Sequence, residues 1–269
     1  MKTTIFFFSG TGNSLKIAKD LAARLEESEL IPIAKIWEME HIQAKNEKVG
    51  FIFPLYWSGL PKIVYDFISK LNLNKTNYIF AVITSAGDIN EQPLQQLTRL
   101  LKTKEKMLNA GFFITMPSNY IIGYDITSEE HQKEYFQKAM KEIESISEVV
   151  KNERENLSND IFKKDVSRSE GINKTFRENV NTSDNSFYTD ENCTSCGICE
   201  NICPVNNIIL TEGIPKWQHK CQQCLACINY CPEKSIQFGT DTIKTQRYHH
   251  PEITIQEIIN QKKNTGQIY

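Results

Sequence analysis

Apolar positions in the first half of the chain alternate between two patterns. Continuous apolar runs cover residues 3–8, 30–33, 49–53, 78–83 and 112–116. Between them apolar residues recur at helical spacing, as at Leu15, Ala18, Leu21, Ala22 and Leu25, and helices are predicted over 15–25, 62–70 and 91–109. Near-unbroken apolar strands separated by helices predict a parallel sheet covered on both faces. Such sheets take ligands beyond the C-terminal ends of their strands. A longer helix is predicted over 129–155, with Phe136, Met140, Ile143, Ile146 and Val150 as its apolar stripe and Glu129/Lys133 and Glu134/Lys138 paired on its polar faces. The pattern then lapses. Residues 156–187 are polar and rich in Asn and Ser, and read as part helix or as a linker.

Beyond the lapse the cysteines take over. All eight lie in two runs, Cys193, Cys196, Cys199, Cys203 with Pro204, and Cys221, Cys224, Cys227, Cys231 with Pro232. Each run is C-x2-C-x2-C-x3-C-P, the spacing that holds [4Fe-4S] cubanes in bacterial two-cluster ferredoxins. Three thiolates on one tight loop grip three irons, and the fourth ligand comes from the other run. One cluster is thus expected on Cys193, Cys196, Cys199 and Cys231, the other on Cys221, Cys224, Cys227 and Cys203. Zinc is the main alternative, using two cysteines of each run and leaving four idle. A disulfide scaffold is disfavoured: the chain starts without a signal-peptide pattern, and the first 192 residues hold no cysteine. A cytoplasmic setting follows as an expectation.

The runs are also an internal repeat, in which Cys193 maps to Cys221 and Ile208 to Ile236, each followed by a short apolar strand at 208–210 and 236–238. This segment, residues 188–240, is too small to supply much core, so metal must contribute to its folding. It has a mild acidic excess, Asp190, Glu191, Glu200, Glu212 and Glu233 against Lys216, Lys220 and Lys234. That hints at basic partner surfaces. The net charge of -2 gives no support for nucleic-acid binding, and no apolar run approaches the roughly 20 residues of a membrane span. The tail, 241–269, carries His249 and His250, read as surface residues, and a helical stretch at 251–261; it is expected to pack against one of the domains.

After the first strand comes Ser9-Gly10-Thr11-Gly12-Asn13-Ser14 and then a helix. Glycines let the backbone approach a ligand, and the helix offers free N–H groups to an anion. The loop lacks the G-K-[ST] of a Walker loop and the third glycine of a dinucleotide fingerprint; a plain helix-capping turn is the simpler alternative. The loop resembles the FMN phosphate loop of flavodoxins, and the chain as a whole resembles the flavodoxin–ferredoxin fusion proteins of anaerobic bacteria and archaea. The resemblance implies an α/β fold: a flavodoxin-like doubly wound five-stranded parallel sheet of order 2-1-3-4-5 over residues 1–160, a connector at 161–187, and a small α+β ferredoxin-like domain. It implies FMN phosphate held by Ser9, Thr11, Gly12, Asn13 and Ser14. The flavin ring would lie between Pro54-Leu55-Tyr56-Trp57-Ser58-Gly59 and Thr84-Ser85-Ala86-Gly87-Asp88, with Tyr56 or Trp57 stacked on it and Asn119 near it. The peptide around Ser58 and Gly59 would rearrange with flavin redox state. FMN and two [4Fe-4S] clusters then make an electron relay between redox partner proteins; the alternative is an FMN-dependent reductase of a quinone-like or other unsaturated small acceptor. No nicotinamide-binding motif is found.

Overall fold

The computed structural model describes residues 2–87, 91–157 and 159–262; Asp88 and the end of the tail lie outside them. Five strands form the main sheet: β1 (Thr3–Phe7), β2 (Ser28–Pro32), β3 (Lys48–Pro54), β4 (Tyr78–Ser85) and β5 (Ala110–Thr115). Their order is β2-β1-β3-β4-β5, all parallel, as the alternation of strand and helix patterns requires. Every residue of β1 and β4 is buried, which explains why these segments read as unbroken apolar runs rather than alternating ones. Phe6 sits in register between Ile31 and Phe51. Gly50 is required beside it: a Cβ there would stand 2.2 Å from the Phe80 ring.

Helices α1 (Asn13–Arg24) and α4 (Glu129–Lys151) pack together on one face, and α2 (Lys62–Lys70) and α3 (Gln92–Lys102) on the other. Helix α3 ends seven residues before the sequence pattern does. Glu105 there takes φ 57, and the Asn109 side chain turns back to accept from the Ile79 N–H at 2.9 Å. The connector is ordered as α5 (Ser167–Asn179), flanked by 3-10 turns at Asn159–Lys163 and Val180–Ser186.

The cysteine-bearing segment is two small antiparallel pairs. Strand β6 (Phe187–Thr189) pairs with β9 (Ile236–Phe238), and β7 (Ile208–Thr211) with β8 (Ile214–Trp217). The segment's first strand starts at Phe187. The tail is expected on one domain but lies against both. The His250 N–H donates to Thr11 O at 2.8 Å, while Lys262 Nζ donates to Glu200 O at 2.8 Å, near the first cysteine run. Its last described helix, α6 (Ile255–Asn260), starts with a capping box of Thr254 and Glu257. Among the described residues no helix is long and apolar enough to cross a membrane.

Candidate functional site

A cavity of about 500 Å³ opens at the C-terminal ends of the sheet strands. Ser9, Gly10 and Thr11 line it from the loop after β1, Asn13 and Ser14 from the first turn of α1, Pro54 from the end of β3, and Leu55, Tyr56 and Trp57 from the loop after it. Thr84 and Ser85 end β4 and Ala86 follows it, and Asn119 follows β5 beside Tyr120, Tyr124 and Asp125. Of the residues the sequence nominates, Gly12, Ser58, Gly59 and Gly87 are not on the wall.

The floor of the cavity suits an anion. No side chain caps α1, its first turn holds no acidic residue, and it starts from Gly12 at φ 102. Its first N–H groups are thus free for a ligand, the arrangement that favours phosphate at a helix N-terminus. Among the described residues Lys and Arg are absent from the wall, so the donors there are neutral. The loop is held from several sides. Ser9 Oγ accepts from the Gly12 N–H at 3.1 Å, and Ser14 and Thr84 hydroxyls share a bond at 2.8 Å. Asn13 donates to Pro117 O at 2.8 Å and accepts at Oδ1 from the Tyr248 hydroxyl at 2.7 Å.

His250 corrects the expectation of a surface pair. It is 1% exposed, its ring lies 4.6 Å from that of Phe136, and a Cβ on Gly12 would stand 2.9 Å from its own Cβ. Burial pulls its pKa down to about 4, with Glu252 opposing. His249 is exposed and stacks on Tyr230 at 4.5 Å.

On the other side of the cavity, Trp57 (φ 45) and Ser58 (φ 63) form a tight turn closed by two backbone bonds between Tyr56 and Gly59, at 3.0 and 2.9 Å. Any rearrangement of the Ser58–Gly59 peptide must loosen that turn. A Cβ on Gly59 would lie 2.4 Å from Asn173 of α5, so this glycine serves close packing. Phe176 covers one face of Trp57 at 5.9 Å, Tyr120 meets it edge-on at 6.3 Å, and its Nε1 donates to Gln223 Oε1 at 2.9 Å.

The cysteines surround two further voids. One is walled by Cys193, Cys196, Cys199 and Cys231, the other by Cys203, Cys221, Cys224 and Cys227. Each set takes three cysteines from one run and one from the other. The backbone repeats as the sequence does: Ser195 and Gly197 have positive φ, as do their counterparts Gln223 and Leu225, and Asn206 is matched by Lys234. Among the described residues no three His, Cys, Asp or Glu side chains converge as a single metal ion needs. A void walled by three cysteines of one run and one of the other is the ligand set of a bacterial-type [4Fe-4S] cubane. Amides are already aimed at sulfur, Asn207 N–H at Cys203 and Gln223 N–H at Cys221, both at 3.2 Å. Burial pushes the Cys199 and Cys221 thiols up to about 11, so a bound metal's charge is what would ionise them.

The flavodoxin domain family matches residues 4–114, and 4Fe-4S binding domain families match residues 187–209 and 218–238. The chain is a flavodoxin–ferredoxin fusion. It is an iron–sulfur flavoprotein of electron transfer. No curated protein matches its sequence. Among solved structures it is similar to proteins described as flavoproteins from Bacteroides uniformis (17% identity, 51% of this chain and 97% of that chain, TM-score 0.33) and Bacteroides eggerthii (18%, 51% and 97%, 0.32). It is also similar to rubredoxin oxygen:oxidoreductase from Desulfovibrio gigas (14% identity, 56% of this chain and 36% of that chain, 0.34).

The two halves of the fusion share a wall. Gln223 and Leu225 line the flavodoxin cavity and flank Cys224, which lines the second void. Gly10 presses on the same loop: a Cβ there would stand 2.4 Å from Cys224 O. Leu225 holds φ 59 where the repeat has Gly197, a strained conformation that keeps a buried apolar side chain at the contact. Gln223, Leu225, Asp125 and Tyr248 were invisible to sequence reasoning as site residues. The first two pass as spacers between ligands, and only the leucine in a glycine's place signals a further duty.

Proposed function

We propose that the fusion is an internal electron relay in which FMN occupies the sheet-end cavity and two [4Fe-4S] clusters occupy the cysteine-walled voids. When bound, FMN exchanges one or two electrons and each cubane exchanges one. Ser9, Thr11, Asn13, Ser14 and the N–H groups of α1 would hold the phosphate. The loops at 54–57 and 84–86 would hold the ring, with Trp57 and Asn119 beside it. Cys193, Cys196, Cys199 and Cys231 would carry the first cluster, and Cys203, Cys221, Cys224 and Cys227 the second. The observation that carries this reading is the shared wall, with Cys224 between two residues of the flavin cavity. Exposure supports an order. Cys196 is exposed, whereas Cys203 and Cys224 are buried. A partner protein would meet the first cluster, and the second would stand next to the flavin. Glu191, Glu212 and Glu233 are exposed on this segment, as are Lys216, Lys220 and Lys234, so exposed charge alone selects no partner face.

An anaerobic redox titration tests the relay. The expected result is bound FMN, iron and sulfide for two cubanes, and electrons that equilibrate between flavin and clusters within one chain at a rate independent of protein concentration. Protein lacking flavin, or equilibration that slows on dilution, overturns it. The alternative, reduction of a small unsaturated acceptor, is favoured by the aromatic mouth of Trp57, Tyr120 and Tyr124. Acceptor-dependent oxidation of the reduced protein would reveal it.

A further inference from the structure

Tyr56 sits in the turn that meets the loop between Cys221 and Cys224 through the Trp57–Gln223 bond. Its ring is part of the cavity wall and meets Phe8 and Phe176 edge-on, each at 6.3 Å. Its hydroxyl, by contrast, is buried and has no hydrogen-bond partner among the described residues. A buried phenol without a partner carries an uncompensated desolvation cost and calls for an explanation. Tyr56 shares the cavity wall with Gln223 and Leu225, which flank Cys224 of the second void. The loop between Cys221 and Cys224 is fastened to Tyr56's surroundings, since Trp57 donates to Gln223 and the Ile63 N–H donates to Gln222 Oε1 at 3.0 Å.

We propose that the Tyr56 hydroxyl donates an O–H···S hydrogen bond to a sulfur of the second cluster and so raises that cluster's potential. The inference rests on the cofactor assignment above. A donor aimed at sulfur stabilises the reduced, more negative cluster more than the oxidised one. The donor is preorganised, because the Tyr56–Gly59 turn and the bond from Asn173 Nδ2 to Tyr56 O, at 3.0 Å, fix its backbone. It also breaks the pseudo-symmetry of the clusters. Within the repeat, Ser235 Oγ lies 3.3 Å from Cys231 Sγ, and its counterpart Asn207 serves Cys203. Tyr56 comes from outside the repeat, so the flavodoxin half tunes the cluster next to it and leaves the other alone.

The test is Tyr56→Phe, read by an EPR-monitored titration, with the second cluster identified as the signal lost in Cys203→Ser. The second-cluster midpoint is expected to move to more negative potential while the first-cluster and flavin midpoints stay in place. An unmoved second midpoint, or an equal shift of all three, overturns the inference. A second measurement leaves the fold untouched. Full replacement of tyrosine by the more acidic 3-fluorotyrosine should raise the second midpoint, and should fail to do so in a Tyr56→Phe background; no rise in otherwise native protein also overturns it. Wild-type protein without cluster signals would instead refute the cofactor assignment itself, a distinguishable failure.

Discussion

The bond from the Tyr248 hydroxyl to Asn13 Oδ1 spans 235 positions and is buried at both ends. It fixes the amide that also reaches Pro117 O, and so fixes the first turn of α1 where the phosphate is proposed to sit. Tyr248→Phe removes only that donor. FMN affinity should fall about 5- to 10-fold, the effect of roughly 1 kcal/mol for one hydrogen bond, with iron content unchanged. Fluorescence titration of flavin-free protein measures it; unchanged affinity means Pro117 alone suffices. His250 gives the same loop a pH dependence. Its folded pKa of about 4 lies below its ordinary 6.5, because burial disfavours the charged ring more than Glu252 and Asp20 favour it; Lys16 and His249 push the same way as burial. The unfolded chain takes up a proton near pH 6.5 that the folded chain refuses until about pH 4. Stability is therefore full above 6.5 and falls between 6.5 and 4. His250→Gln should flatten that decline in urea titrations at pH 7 and 5. Flavin release should follow the same difference between the two proteins; the phosphate's own ionisation near pH 6 acts equally on both. The Ser9–Ser14 loop was legible in the sequence because strand, loop and helix are neighbours in the chain. Tyr248 and His250 were not, because nothing local marks a contact made across the whole chain.

At the scale of elements, the connector shows where pattern reading fails. Helix α5 buries only Asn173 and Phe176 of its thirteen residues, so it has no apolar stripe to find. Its docking is polar. Asn173 donates to Tyr56 O and to Leu60 O at 3.0 and 3.2 Å, and accepts from Gln96 Nε2 and Arg177 Nε at 2.9 and 3.0 Å. Asn173→Ala leaves buried carbonyls and an amide without partners and should cost about 2–4 kcal/mol. Chemical denaturation followed by Trp57 fluorescence checks this, since Phe176 covers that indole. A loss below about 1 kcal/mol would mean that the aromatic contacts alone dock the helix. The sheet strands, by contrast, announce themselves: burial on both faces favours apolar side chains through their centres, and β1, β3 and β4 fall within two residues of the sequence reading.

For the whole molecule the shared wall has a thermodynamic consequence. The ferredoxin half has little core without metal, yet its Gln223 and Leu225 complete the cavity proposed for FMN, and its Cys224 carbonyl abuts Gly10 of the loop after β1. Anything that loosens the second void therefore loosens the cavity, while the first void, with Cys196 exposed, has no such contact with the wall. Cys203→Ser is expected to remove the second cluster, leave the first cluster's EPR signal largely intact and weaken FMN binding. Loss of the first cluster instead would overturn the exchange of fourth ligands. Coupling between two sites is reciprocal in free energy, so FMN must protect the second cluster in its turn. Iron release to a chelator, followed with and without FMN, should slow for the second cluster and barely change for the first. Equal protection of both would mean that FMN stabilises the fold in general; no protection of either would mean that the wall transmits nothing. The asymmetry is the informative outcome, because the sequence repeat makes the two clusters equivalent and only the packing of the two halves distinguishes them.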